Sequence, residues 1–271
     1  MKRKNKNKVY VYVLMFLLGF LVAFLLINPS KEVNQISQNV TKEIPKEPSS
    51  ENRILEGSAN IVAVNQNRQG LLGKVNVEIT QGNGKILVNT NPFLEPDTQY
   101  SANIAASVAS NVTGVSLDNK NVIYNFDING TVLGGPSAGA AMTLATISAL
   151  ENKKLKNIGI TGTILPNGEI GEVGAVLEKG EAVATNNLTL FLIPNGEGIF
   201  NYYEPVTTKR AKGSFTIIST RYVAKQINVT DYFDKEYGLK VIEISNIQEA
   251  MKYAFWTYYK DKWLKQEINT K

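Results

Sequence analysis

The sequence predicts an α+β domain of mixed α/β layers behind a single N-terminal transmembrane helix, and three observations carry that expectation. From Ile54 onward, stretches with the period-two alternation of strands interleave with stretches of helical periodicity. From Val9 to Ile27 the chain runs 19 residues without a charge, close to the ~20 needed to cross a ~30 Å hydrocarbon core. Finally, 43% of the 271 residues are apolar and 20% are charged, a balance that supports a packed core rather than disorder.

The first 53 residues set the expected topology. Five of the 29 basic residues lie in the tail 1–8, which leaves 24 against 24 acidic residues for the remainder. The basic balance is therefore local, and a nucleic-acid partner is not expected, since that would need a basic stripe on the folded part. A cleaved signal would have an apolar run of roughly 7–15 residues and a small-residue cleavage site; the exit here is Asn28-Pro29-Ser30-Lys31. The expectation is an uncleaved anchor over residues 9–28. The positive-inside rule keeps the tail cytoplasmic and places everything after the anchor outside the cell membrane. Sequons at Asn39, Asn111, Asn129, Asn187 and Asn228 are compatible with that side. Residues 29–53 mix Pro, Ser, Glu, Lys and Asn without periodicity and read as a flexible linker. The folded domain is expected over 54–271.

Within that domain, Asn60–Val64 and Lys74–Thr80 read as strands, the second alternating Val75, Val77 and Ile79 with polar residues. Gly82-Asn83-Gly84 predicts a hairpin into Lys85–Thr90. Asp97 is placed to cap a helix that reaches about Asn111 and stops at Thr113-Gly114. Asn121–Asp127 reads as a strand leading into a Gly-rich turn. Pro136–Leu150 is apolar on nearly all faces, with Pro at the favoured first position, and predicts a buried helix. A strand over Ile158–Ile164, a turn at Pro166-Asn167-Gly168, a short strand to Val173, a helix over Val176–Thr185 and a strand over Leu188–Ile193 follow. Beyond these, residues 201–214 read as a surface insertion, with a substrate-facing loop as the alternative, Phe215–Ile218 as a strand, Thr220–Ile227 as a helix, Lys240–Ile244 as a strand, and Ile247 to about Leu264 as an amphipathic helix.

Composition narrows the chemistry. There is no His and no Cys, which removes the usual zinc ligands, the usual general base and thiolate nucleophiles. Acid or base work falls to Lys, Asp, Glu or Tyr, and no metal or cofactor is expected. The run Gly135-Pro136-Ser137-Ala138-Gly139 fits G-x-S-x-G, which presents a Ser at a sharp turn into a helix. Without His the usual triad fails, and Lys is the alternative base. No S-x-x-K surrounds Ser137, and Gly70-Leu71-Leu72-Gly73-Lys74 does not match the phosphate-binding G-x-x-x-x-G-K-[ST]. On a helical wheel, Val176, Leu177, Gly180, Val183 and Ala184 form an apolar arc, with Lys179 at its edge. Taken singly, Ser137 would serve as a capping residue, Thr161 as an ordinary strand Thr and Lys179 as a surface Lys with a buried stem.

Taken together, the blocks GGPSAG with its Ala-rich helix, TGTI before a Gly-rich turn, and GAVLEKG before a strand ending in Ile193-Pro194 resemble the proteolytic domain of the Lon family of serine proteases. The likeness is greatest to archaeal membrane-anchored Lon-like proteases that lack an ATPase domain. It is dense over residues 54–200 and looser to about 259. The resemblance implies a Ser/Lys dyad, with Ser137 as nucleophile, Lys179 as base, Thr161 as active-site support, and backbone N–H groups at Gly134, Gly135 and Ser137 facing the oxyanion. It implies ATP-independent cleavage of polypeptide substrates and, by analogy with six-membered rings of related domains, a homo-oligomer. Two positions depart from the pattern: an acidic residue common three places before the Ser is Gly134 here, and a Glu that often follows the TG pair is Thr163. Two other readings stand beside the endopeptidase, namely a catalytically silent polypeptide-binding or membrane scaffold protein and a Ser/Lys amidase acting on small amides.

Overall fold

The computed structural model describes residues 54–89, 91–129 and 132–255, with only the backbone of Val132 and Leu133. The apolar run Val9–Ile27 and the linker lie outside these residues; among the described residues no helix is long and apolar enough to cross a membrane.

Strand β1 (Leu55–Val64) pairs antiparallel with β2 (Gly70–Gln81), in register from Leu55 opposite Ile79 to Val64 opposite Gly70. The alternation read in β2 is real: Val75, Val77 and Ile79 are buried. The turn at Gly82-Asn83-Gly84 does not make the expected hairpin. Strand β3 (Ile86–Val88) runs parallel to β5 (Lys120–Asp127), and β5 lies between β2 and β3. Asn121 on β5 decides this, because its side-chain oxygen accepts the N–H groups of Asn83 and Lys85, each at 3.1 Å, and so draws the turn around the end of β5.

After β4 (Phe93–Leu94), helix α1 spans Pro96–Thr113. Its capping position is Glu95, with Asp97 inside the first turn, and it ends as expected at Gly114, whose φ of 73° suits a residue without a Cβ. Strand β6 (Val132–Leu133) pairs with β4 and leads to a short 3₁₀ turn (Pro136–Ala138) and helix α2 (Gly139–Glu151). Every residue from Gly139 to Ala149 is buried. A helix with no solvent face must satisfy its polar side chains internally, and Thr143 and Thr146 donate to the carbonyls four residues earlier. The Thr146 hydroxyl also meets the Tyr124 hydroxyl of β5 at 2.7 Å. Met142, Leu144 and Ile147 fill the main core with the inward side chains of β1, β2 and β5, each contributing about 1.5–3 kcal/mol by burial.

The expected strand over Ile158–Ile164 is two short ones, β7 (Gly159–Ile160) and β8 (Thr163–Ile164), interrupted at Thr161-Gly162. The interruption has a cause: Gly162 leaves the ladder to donate its N–H to the Ser137 carbonyl at 2.9 Å. Strand β9 (Ile170–Gly171) pairs back on β8, helix α3 covers Val176–Thr185, and β10 (Leu190–Pro194) runs parallel to β7 and to β13 (Lys240–Ile244). A second core gathers Val176 and Val183 of α3, Phe191 and Ile193 of β10, and Phe233 of helix α4 (Val229–Tyr237).

The C-terminal part departs from the expected elements. Residues 201–214 do lie on the surface, but as regular strand, and Thr220–Ile227 is no helix. They belong to β11 (Ile199–Lys212) and β12 (Phe215–Asn228), a long antiparallel hairpin closed by Gly213-Ser214. β-Branched and aromatic residues make up half or more of each arm and favour strand over helix. Gly213 has the positive φ, 63°, that two-residue hairpin turns require. Helix α4, which the sequence reading passed over, starts directly after β12, where the Asn228 side chain caps the Asp231 N–H at 3.0 Å. Helix α5 (Ile247–Ala254) is shorter than expected because Phe255 turns extended and bridges to Leu155; the expected continuation to Leu264 lies outside the described residues.

Candidate active site

Three segments meet at one cleft. The first is the turn before α2. Gly135 adopts φ 84° and ψ 151°, a conformation open to glycine, and this allows the chain to reverse sharply into the 3₁₀ turn that carries Ser137. Helix α1 fixes the turn from behind: Thr98 donates to the Gly135 carbonyl at 3.0 Å and Ser101 to the Pro136 carbonyl at 3.3 Å. A side chain at Gly139 would strike Ile164 and Ser101, so the last glycine of the motif is needed for close packing.

The second segment is the break between β7 and β8. The Gly162 N–H holds the Ser137 carbonyl, the Gly162 carbonyl accepts the Ala140 N–H at 3.0 Å, and the Thr161 hydroxyl lies 3.4 Å from the same Ser137 carbonyl. Thr161 is fully buried, and its own N–H donates to Leu192 of β10. The Ser137 backbone is thus clamped to the central strands.

Helix α3 supplies the third segment. It follows Ala175, a residue held at φ 61°, an unusual conformation for a non-glycine. Lys179, one turn in, is only 5% exposed, and its amine donates to the Thr161 hydroxyl at 3.2 Å. Burial pushes the amine down from 10.5 to about 8, against the opposing pull of the Glu197 and Glu178 carboxylates. Glu178 itself points the other way, to Arg68 at 2.7 Å.

Ser137, Lys179, Gly134 and Ala175 line a cleft of about 910 Å³, with Glu95 and Leu71 on its wall. The structure brings Ser137, Lys179 and Thr161 together from positions 42 residues apart in the chain at the extremes. Gly134, Gly135 and Ser137 sit where the backbone enters the 3₁₀ turn, whose first N–H groups have no partner inside the helix. Such groups, with the dipole of the helix behind them, suit a developing oxyanion. The chemistry available is therefore a hydroxyl, an amine that is substantially neutral near pH 8, and donors for negative charge.

Two acidic residues at the site were not read from the sequence. Glu197 follows β10 and accepts the Val173 N–H at 3.1 Å while acting on Lys179. Glu95 places its carboxylate in the space a side chain at Gly134 would fill. A carboxylate from the start of α1 thus occupies the place beside the turn that a side chain at position 134 would take. No local signal could have shown this, because the two positions are 39 residues apart and meet only through the β4–β6 pairing.

Comparison with known proteins gives a consistent answer. The chain is 30% identical over 171 residues to Lon protease of Mycoplasma genitalium, which covers 60% of this chain and 21% of that protein. It is 27% identical over 197 residues to Lon protease of Malacoplasma penetrans, 69% of this chain and 24% of that protein. A 61-residue stretch is 43% identical to Lon protease of Buchnera aphidicola, 22% of this chain and 8% of that protein. The chain thus matches about a quarter or less of the length of these relatives. The family model described as the Lon protease (S16) C-terminal proteolytic domain matches residues 33–201, more than half of the sequence, and the chain belongs to that family of serine proteases.

Proposed function

We propose that this protein is a membrane-anchored serine endopeptidase that works without ATP, with Ser137 as nucleophile and Lys179 as general base. The observation that carries the reading is the buried Lys179 amine, lowered to about 8 and tied to Thr161, on the wall of the cleft that holds Ser137. In this reading the neutral amine takes the Ser137 hydroxyl proton as the oxygen attacks a peptide carbonyl carbon. The tetrahedral oxyanion is met by N–H groups of the 134–137 turn. Collapse breaks the C–N bond, and the Lys179 ammonium returns its proton to the leaving amine. Water then attacks the ester, again giving its proton to Lys179, and the acid departs as the Ser137 hydroxyl is restored. Thr161 positions the amine.

ATP independence is supported by the sequence, which has no phosphate-binding G-x-x-x-x-G-K-[ST] run. The full chain in detergent is expected to hydrolyse an unfolded, dye-labelled protein equally well with and without ATP and magnesium. The Ser137→Ala variant should be inert in the same assay. A strict nucleotide requirement would overturn the energetic part, equal turnover by Ser137→Ala would overturn the nucleophile, and turnover of small amides alone would replace endopeptidase by amidase. A folded wild-type chain that binds polypeptide but cleaves nothing would establish the silent, scaffold reading.

The anchor is proposed over residues 9–28, with the N-terminal tail cytoplasmic and the protease domain outside. Protease added to intact cells should then digest a C-terminal tag. Protection of the tag until the cells are lysed would reverse this orientation.

A further inference from the structure

The β11–β12 hairpin is an arm with no packed face. From Asn201 to Gln226 every residue is exposed except the half-buried Val206 and Val223, so neither face of the ribbon rests on the domain. Two strands of 14 residues extend roughly 45 Å at ~3.4 Å per residue. An isolated two-stranded ribbon is marginal in water, and this one carries large apolar side chains at its free end. Phe215, Ile217 and Ile218 are 77%, 56% and 62% exposed. Register places them opposite Lys212, Arg210 and Lys209 respectively. The end of the arm is therefore a cluster of three apolar groups and three cations, and no acidic residue occurs between Pro205 and Thr230. Tyr203 and Tyr222, 72% and 71% exposed, lie further back.

We propose that the end of this hairpin docks on a lipid surface bearing anionic headgroups, with Phe215, Ile217 and Ile218 entering the boundary of the acyl chains and Lys209, Arg210 and Lys212 meeting phosphates. The charge is complementary: each cation lies level with an apolar partner, so its long side chain can reach back to the headgroups while the apolar group enters, and the exposed Tyr residues lie further from the tip. A second copy of the chain is the weaker fit. Three apolar side chains at a turn offer a few hundred Å², below the ~800 Å² per partner of a stable protein interface, and the ribbon behind them mixes Tyr and Val with Thr, Ser and charged residues rather than presenting one continuous apolar face. A fluid lipid surface needs no such shape-matched area. The inference uses no residue of the proposed anchor.

The test exploits the absence of Cys from the chain. Ser214→Cys in the full-length protein takes a single environment-sensitive dye at the turn and leaves the apolar and basic side chains intact. The protein is reconstituted with vesicles of phosphatidylcholine alone or with ~30% phosphatidylglycerol, each with and without spin-labelled lipid. Flotation with phosphatidylcholine vesicles reads the N-terminal anchor separately, so failure of the anchor and failure of the hairpin are distinguishable. In anionic vesicles the dye should lose at least half of its emission to the lipid quencher. Combining Lys209→Glu, Arg210→Glu and Lys212→Glu, or Phe215→Ser, Ile217→Ser and Ile218→Ser, should return emission to the phosphatidylcholine level at an unchanged melting temperature. An unquenched dye in anionic vesicles, or quenching that survives charge reversal, would overturn the proposal. Energy transfer between donor- and acceptor-labelled copies in detergent without lipid would also overturn it and assign the tip to a second copy.

Discussion

Lys179→Arg is expected to leave about a thousandth or less of wild-type peptidase activity, no more than Lys179→Met leaves. A fixed cation at this position would survive the change to Arg with much of its effect. A general base would not, because a guanidinium stays protonated at any accessible pH. The wild-type amine, held at about 8, is half neutral at that pH. The rate constant kcat/KM should therefore climb through pH 8 and level off about one unit above it. Both variants should lack that rise, and their folding is checked by their unfolding curves. Substantial activity in well-folded Lys179→Arg would remove Lys179 as the base even with Ser137 essential.

Lys179→Met should, conversely, stabilise the fold by about 3 kcal/mol at pH 7. The fall from 10.5 to about 8 measures how much less the folded site tolerates the charged amine, at ~1.36 kcal/mol per pH unit. Below pH 8 the amine is protonated in both folded and unfolded chains, and the penalty is carried in full. Between pH 8 and 10.5 the unfolded chain binds the extra proton, so wild-type stability rises with pH across that window. Met fills similar volume without charge. Denaturant unfolding of both proteins at pH 7 and pH 10.5 checks the sign: the advantage of Met should be largest at pH 7 and nearly gone at 10.5. Equal stabilities at pH 7 would mean that the folded site tolerates the ammonium well, contrary to a lowered amine.

What was legible in the sequence depended on whether the signal was local. The period-two pattern gave β2, and the pattern of small and apolar residues gave α2, α3 and β13 nearly to the residue. The GPSAG turn and the TG and EK blocks pointed to Ser137, Thr161 and Lys179; Ser137 and Lys179 line one cleft, and Thr161 lies buried against the Lys179 amine. Reading failed where a distant partner decided the outcome. Asn121 redirected the turn at 82–84, the Ser137 carbonyl split the strand at Thr161-Gly162, and the β4–β6 pairing brought Glu95 to Gly134. The hairpin failed for another reason: with both faces in solvent, it carries no buried face whose alternation could announce a strand.

The two cores described above have a bearing on how turnover is set. Ser137 is continuous with α2, whose side chains belong to the first core, whereas Lys179 is carried by α3, whose inner face belongs to the second. Gly180 presses so closely on the Phe233 ring that a single methyl there would collide with it. Phe233 touches no part of the cleft, yet it fixes how far α3 stands from α4 and so where the neighbouring amine is held. Nucleophile and base thus answer to separate packing problems, and Thr161, buried between them, is the hinge pin that keeps the two solutions aligned.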